Sequence, residues 1–133
     1  YGVYDMNGGA WERVAAWDTL STSGNVTSYG SSFASSGGTS TKYATAYKNG
    51  TDTYSGVLAK TVCKTGDAVR ETYTNSDRGW FNDYSYFAST SHPFFVRGGN
   101  YEDGEGAGVF ASSSTTGEPY ANNSFRAVLV AAV

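Results

Sequence analysis

The sequence predicts an α+β domain in which short antiparallel strands are joined by long loops. Three observations point there. Gly, Ser, Thr, Asn and Tyr dominate and only 16% of residues are charged, yet 39% are hydrophobic, too many for a disordered chain. The last third reads as short apolar runs broken by turn formers: FFVRGG, GAGVFASS and SFRAVLV. One stretch with a capping residue, TGDAVRETYT (65–74), supplies a short helix. A length of 133 residues suits a single domain over 1–133, with one core.

Taken in order, WERVAAW (11–17) is apolar-rich and free of turn residues, which predicts a strand. STSGNVTSYGSSFASSGGTST (21–41) has low complexity and no period, and predicts a long exposed loop or linker. TKYATAYK (41–48) has weak helical spacing, enough for one or two turns. SGVLAKTV (55–62) reads as a short strand or a helix start, and the helix of 65–74 takes Thr65 or Asp67 as its cap. GWFNDYSYFASTSHPFF (79–95) is the most aromatic stretch, with Pro93 as the break before the next strand.

Strands over 94–99, 106–113 and 124–130 then form a small antiparallel sheet, connected by NYEDGE (100–105) and STTGEPYANN (114–123). GEGAG (104–108) is expected to be the hairpin turn entering the second of these strands. It lacks the Lys of a phosphate-binding loop. Trp11 and Trp17 are expected in the core, whereas Trp80, Phe81 and Phe87 suit either the core or a binding surface.

Composition also limits function. A net charge of −3 with no Lys/Arg cluster argues against nucleic acid as a partner. The longest apolar run, AVLVAAV, is too short to cross a bilayer and reads as a buried strand. Cys63 is the only cysteine, so an internal disulfide framework and a multi-cysteine metal site are excluded. His92, the only histidine, lacks the signature of a catalytic triad and reads as a strand-start residue. Eleven tyrosines among amides and small residues suit half-buried strands, and they also suit an adaptable contact surface.

Three blocks, GVYDMNGGAWERV, FFVRGGNY and SFRAVLV, resemble in order the formylglycine-generating enzyme and sulfatase-modifying-factor family. Gly2, Tyr4, Asp5, Met6, Gly8, Trp11 and Glu12 match its first block. Arg97, Gly98 and Gly99 match the second, with Asn100 in place of Ser, and Phe125 and Arg126 match the third, with Ser124 in place of Gly. The resemblance implies a C-type-lectin-like fold in its sulfatase-modifying-factor variant. It reaches only the C-terminal half or so of that domain. The chain is therefore expected to be a fragment, or a reduced version that covers its sheet edge by other means, such as a second copy.

The resemblance implies calcium at the opening turn, with carboxylates from Asp5 and Glu12 and carbonyls from Gly8 and Ala10. The other reading is a metal-free turn in which Glu12 pairs with a buried arginine, Arg97 or Arg126, and Asp5 caps local amides. Both arginines are expected to be buried or half-buried forks that tie strands to that turn.

The oxidase of the family works through two cysteines where this chain has Asp103 and, by a looser alignment, Gly108. Its chemistry is therefore not implied here. A catalytic carboxylate pair among Glu102, Asp103 and Glu105 is the remote alternative. Non-enzymatic relatives include variable proteins of diversity-generating retroelements, phage receptor-binding proteins, and bacterial surface and pilin-like proteins.

By that resemblance the chain is expected to be a non-enzymatic recognition or adhesion domain outside the cytoplasm, on a cell surface or virion. A structural subunit of a filament or phage tail is the alternative. The candidate ligand surface comprises Trp80, Phe81, Asn82, Tyr84 and Tyr86, then Asn100, Tyr101, Glu102, Asp103 and Glu105, then Glu118, Tyr120, Asn122 and Asn123. Such a surface suits a protein or, through Trp with neighbouring Asn, Asp and Glu, a sugar.

Overall fold

The computed structural model describes residues 9–19, 24–34, 39–41, 44–48, 65–75 and 77–125. The stretches 55–62 and 126–130 lie outside them, as do Asp5, Gly8, Cys63 and Arg126. The fold mixes short strands with a few short helices. No helix among the described residues is long and apolar enough to cross a membrane.

The sheet is organised around β1 (Trp11–Asp18), the strand expected from its unbroken apolar run. On one side β1 pairs antiparallel with β5 (Phe94–Arg97), which pairs antiparallel with β6 (Ser112–Thr115). On the other side its C-terminal half pairs with β2 (Thr45–Tyr47) and its first residues with β7 (Asn123–Ser124), both parallel. Between Arg13 and Trp17 the register with β5 shifts, so β1 bulges and exposes Arg13, Val14 and Ala15 before Ala16 returns to the core.

Both faces of β5 are covered, which accounts for its continuous apolar run. Phe94 packs with Trp17 and Val26, and Val96 with Trp11 and Ala111. Phe95 faces the other way, into Ala16, Phe87 and Ala88. There Phe87 meets Phe95 edge to face at 4.9 Å and Tyr47 at 5.3 Å. Trp11 and Trp17 are core residues, as expected, and Phe87 joins them.

Several expectations are corrected. The stretch 21–41 is not simply a loop, since it contains the short helices α1 (Gly24–Tyr29) and α2 (Ser31–Ala34). Val26 is the reason: 8% exposed within a mostly polar run, it anchors α1 on Trp17 and Phe94. The helix expected within 41–48 is instead strand β2, because pairing with β1 overrides a weak helical pattern.

Helix α3 (Ala68–Thr72) is present but short, and the chain is extended again in β3 (Tyr73–Asn75), which pairs with β4 (Arg78–Gly79). Asp67 takes the cap position without a side-chain capping bond, and one of its oxygens accepts the Tyr47 hydroxyl instead. The strand expected at 106–113 is displaced to β6. Residues 104–106 form a 3-10 turn, and a further turn follows before Ser112. The last third is also not wholly antiparallel, because β7 joins β1 in parallel.

Candidate functional site

Residues 78–86 and 104–112 are laced together by their backbones. The Tyr84 N–H donates to Gly106 O at 2.9 Å, the Ser112 N–H to Tyr84 O at 2.8 Å, and the Tyr86 N–H to Ser112 O at 3.0 Å. This explains why GAGVFASS does not run as a strand from Gly106. A side chain at Gly106 would meet the Tyr84 ring, and one at Gly108 would overlap both oxygens of the Asp83 carboxylate. The glycines let the 104–108 turn lie directly on the aromatic stretch.

Asp83 is the joint between the two segments. It is 4% exposed, and its Oδ2 accepts the Phe110 N–H at 3.0 Å. Its own N–H donates to Trp80 O, and its carbonyl accepts the Gly79 N–H at 2.8 Å. One residue thus closes the turn carrying Trp80, Phe81 and Asn82 and also fixes Phe110 beside it. Arg78 braces the same turn, donating to Asn82 O at 3.1 Å while its guanidinium lies 4.4 Å from the centre of the Tyr84 ring.

The braced turn is strained. Phe81 and Asn82 are consecutive left-handed residues, with φ of 60° and 69°. Asn tolerates that region, whereas Phe does not, and such a residue costs about 1–3 kcal/mol and persists only where its surroundings impose it. The result is to turn Phe81 outward, where it is 84% exposed. Its ring stacks on Phe110 (5.8 Å between centroids, 14° between planes), and Trp80, 48% exposed, meets Phe110 edge-on at 5.3 Å. Val109 is exposed next to them in the chain. A ledge of three aromatic rings results, with Trp80 and Phe81 standing in solvent against the half-buried Phe110.

The other expected site residues are placed as follows. Tyr84 and Tyr86 are half-buried and turn inward. Tyr84 packs against the cluster of Trp11, Val96 and Ala111, and the Tyr86 hydroxyl donates to Asp77 Oδ2 at 2.9 Å. Burial first, and then that carboxylate, push the Tyr86 hydroxyl pKa up. Asn100 is buried and shapes its own loop: its Oδ1 accepts the Glu102 N–H, while Asp103 Oδ2 accepts the Asn100 N–H.

Tyr101, Glu102 and Glu105 are exposed, and a hydrogen bond to Glu102 raises the Tyr101 hydroxyl pKa. Glu118, Tyr120, Asn122 and Asn123 are held against β1. Asn122 O accepts the Trp11 N–H, and Tyr120 donates its hydroxyl to Glu118. The structure therefore unites Trp80, Phe81 and Asn82 with Phe110, a residue the sequence reading placed in a strand.

For Arg97 the expectation of burial is corrected, and Arg126 lies outside the described residues. Arg97 is exposed, directly across the strand pair from Glu12. The guanidinium that ties β1 to a distant loop belongs to Arg13, which donates to the carbonyls of Gly117 and Glu118. Of the expected calcium donors, Ala10 and Glu12 are described and half-buried, at the entrance of β1. Among the described residues no three His, Cys, Asp or Glu side chains cluster to hold a metal ion. No family model, curated protein or solved structure matches the chain.

Proposed function

We propose that this chain is a non-enzymatic recognition or adhesion domain of C-type-lectin-like fold, acting outside the cytoplasm, and that it binds through the ledge of Trp80, Phe81 and Phe110. The observation that supports this reading is the outward Phe81. A strained backbone that exposes an aromatic ring, when core positions lie a few residues away, is a cost that folding alone does not require. Recognition supplies the return, because exposed aromatic anchors on a rigid base contribute most to binding at the least ordering cost.

The test is Phe81→Gly. Glycine accepts the left-handed conformation, and relief of strain offsets the lost stacking and the added chain entropy, so stability is expected to stay within about 1 kcal/mol of wild type. Fluorescently labelled domain is applied to panels of bacterial and epithelial cells. Wild type is expected to decorate a subset of them and Phe81→Gly to lose that decoration. Equal decoration by a folded Phe81→Gly would remove the ledge from the function.

Calcium at the opening turn belongs to the same proposal. Glu12 and the Ala10 carbonyl are hard oxygen donors of the right kind, and Arg97 stands opposite Glu12 in the strand register. The expected result is a melting temperature lowered by chelator in wild type and insensitive to it in Glu12→Gln. Superimposable wild-type curves with calcium and with chelator would leave Glu12 to the cross-strand arginine.

A further inference from the structure

We infer that the ligand of the ledge is a neutral, β-linked glucopyranose chain, one sugar ring lying on the open face of Phe81; this rests on the ledge being the recognition site. Four observations carry it. The first is shape. Phe81 and Phe110 stack nearly parallel, 14° apart with centroids 5.8 Å apart, and Phe81 remains 84% exposed. What is offered is a flat, open apolar ring face. A β-linked glucopyranose complements it, because all its ring substituents are equatorial and its axial C–H bonds form a flat apolar face on each side. Axial hydroxyls or α-linkages interrupt that face.

The second is size. A stable protein partner needs a total buried surface on the order of 1,000 Å² or more, whereas three rings on one turn match a short run of sugars. The third is the neighbouring polar group. Asn82 is exposed next to Phe81, and its carboxamide both donates and accepts, as a pair of adjacent sugar hydroxyls requires. The fourth is charge. The cation of this turn, Arg78, is engaged with the Tyr84 ring and the Asn82 carbonyl, which argues for a neutral sugar over an acidic one.

The base is also preorganised. Asp83 fixes the turn and Phe110 together, so the rings need not be ordered when the sugar arrives.

The experiment titrates cellotetraose and, as its α-linked counterpart, maltotetraose into wild type and Phe81→Gly, reading tryptophan emission and saturation transfer to the sugar. Cellotetraose is expected to shift the emission and to receive saturation on its axial ring protons. Phe81→Gly, with an unchanged melting curve, and maltotetraose with wild type are each expected to bind at least about tenfold more weakly. Absence of both signals with cellotetraose, or equal binding by Phe81→Gly, overturns the inference.

Competition on cells separates its failure from that of the broader reading. Decoration that depends on Phe81 but resists excess cellotetraose keeps the ledge as a recognition site and replaces the sugar with a protein ligand. Decoration that ignores Phe81 removes both.

Discussion

Gly108→Ala is expected to destabilise the domain by about 3 kcal/mol, lowering its melting temperature by roughly 10 °C. The added methyl would occupy the space of the Asp83 carboxylate, which is buried and cannot swing into solvent without cost. If the carboxylate moves, the Phe110 N–H loses its acceptor and a buried polar side chain loses its donor. If it stays, the turn after Gly108 must lift from the aromatic stretch. Either route displaces Phe110 and dismantles the ledge. The check is thermal melting of Gly108→Ala, Asp83→Ala and the double variant. The double variant should be far less destabilised than the sum of the singles, because removing the carboxylate makes room for the methyl. A single-variant loss below about 1 kcal/mol, or additive effects, would show that the carboxylate is not seated on Gly108.

Phe87→Ala carries the largest expected loss, about 3–5 kcal/mol. Phe87 is fully buried, with Phe95 and Tyr47 edge-on to its ring, and the cavity left behind is walled by aromatic rings that cannot easily collapse. Such a loss is a large share of the total stability of a domain this size, about 5–15 kcal/mol. Urea denaturation is the measurement. The midpoint should fall steeply in Phe87→Ala and recover in part in Phe87→Leu. A midpoint near that of wild type would place the core elsewhere. Phe81 and Phe87 lie in one aromatic run, yet losing the first ring is expected to spare the fold and losing the second to cripple it.

That contrast shows what the sequence could and could not disclose. The apolar run 11–17, the strand opening behind Pro93 and the helix after Asp67 follow from local chemistry, and all three are present. β2 and β6 do not follow from it, because Thr45–Tyr47 becomes a strand only by adding to β1 and Ser112–Thr115 only by adding to β5. Phe81 was legible as a candidate, but its outward pose was not. No glycine in WFN announces a left-handed turn, and the pose depends on Asp83 and Arg78 acting together. Phe110 was hidden for a related reason, since GAGVFASS reads as a strand until the Asp83 carboxylate takes up the Phe110 N–H. The role of Arg13 is not legible in the sequence, because its acceptors are backbone carbonyls, Gly117 O and Glu118 O.

The parallel pairing of β7 with the start of β1 also has a temporal side. Trp11 lies opposite Asn123 and Glu12 opposite Ser124, so the first residues of β1 acquire their β7 neighbour only after almost the whole described chain has been synthesised. Sheets closed by such distant segments form slowly, since a long loop must be ordered before the contact exists to hold it. On the ribosome, the first residues of β1 must therefore wait for this one partner. A chain that delays its closure in this way leaves that edge of β1 open until Asn123 and Ser124 arrive.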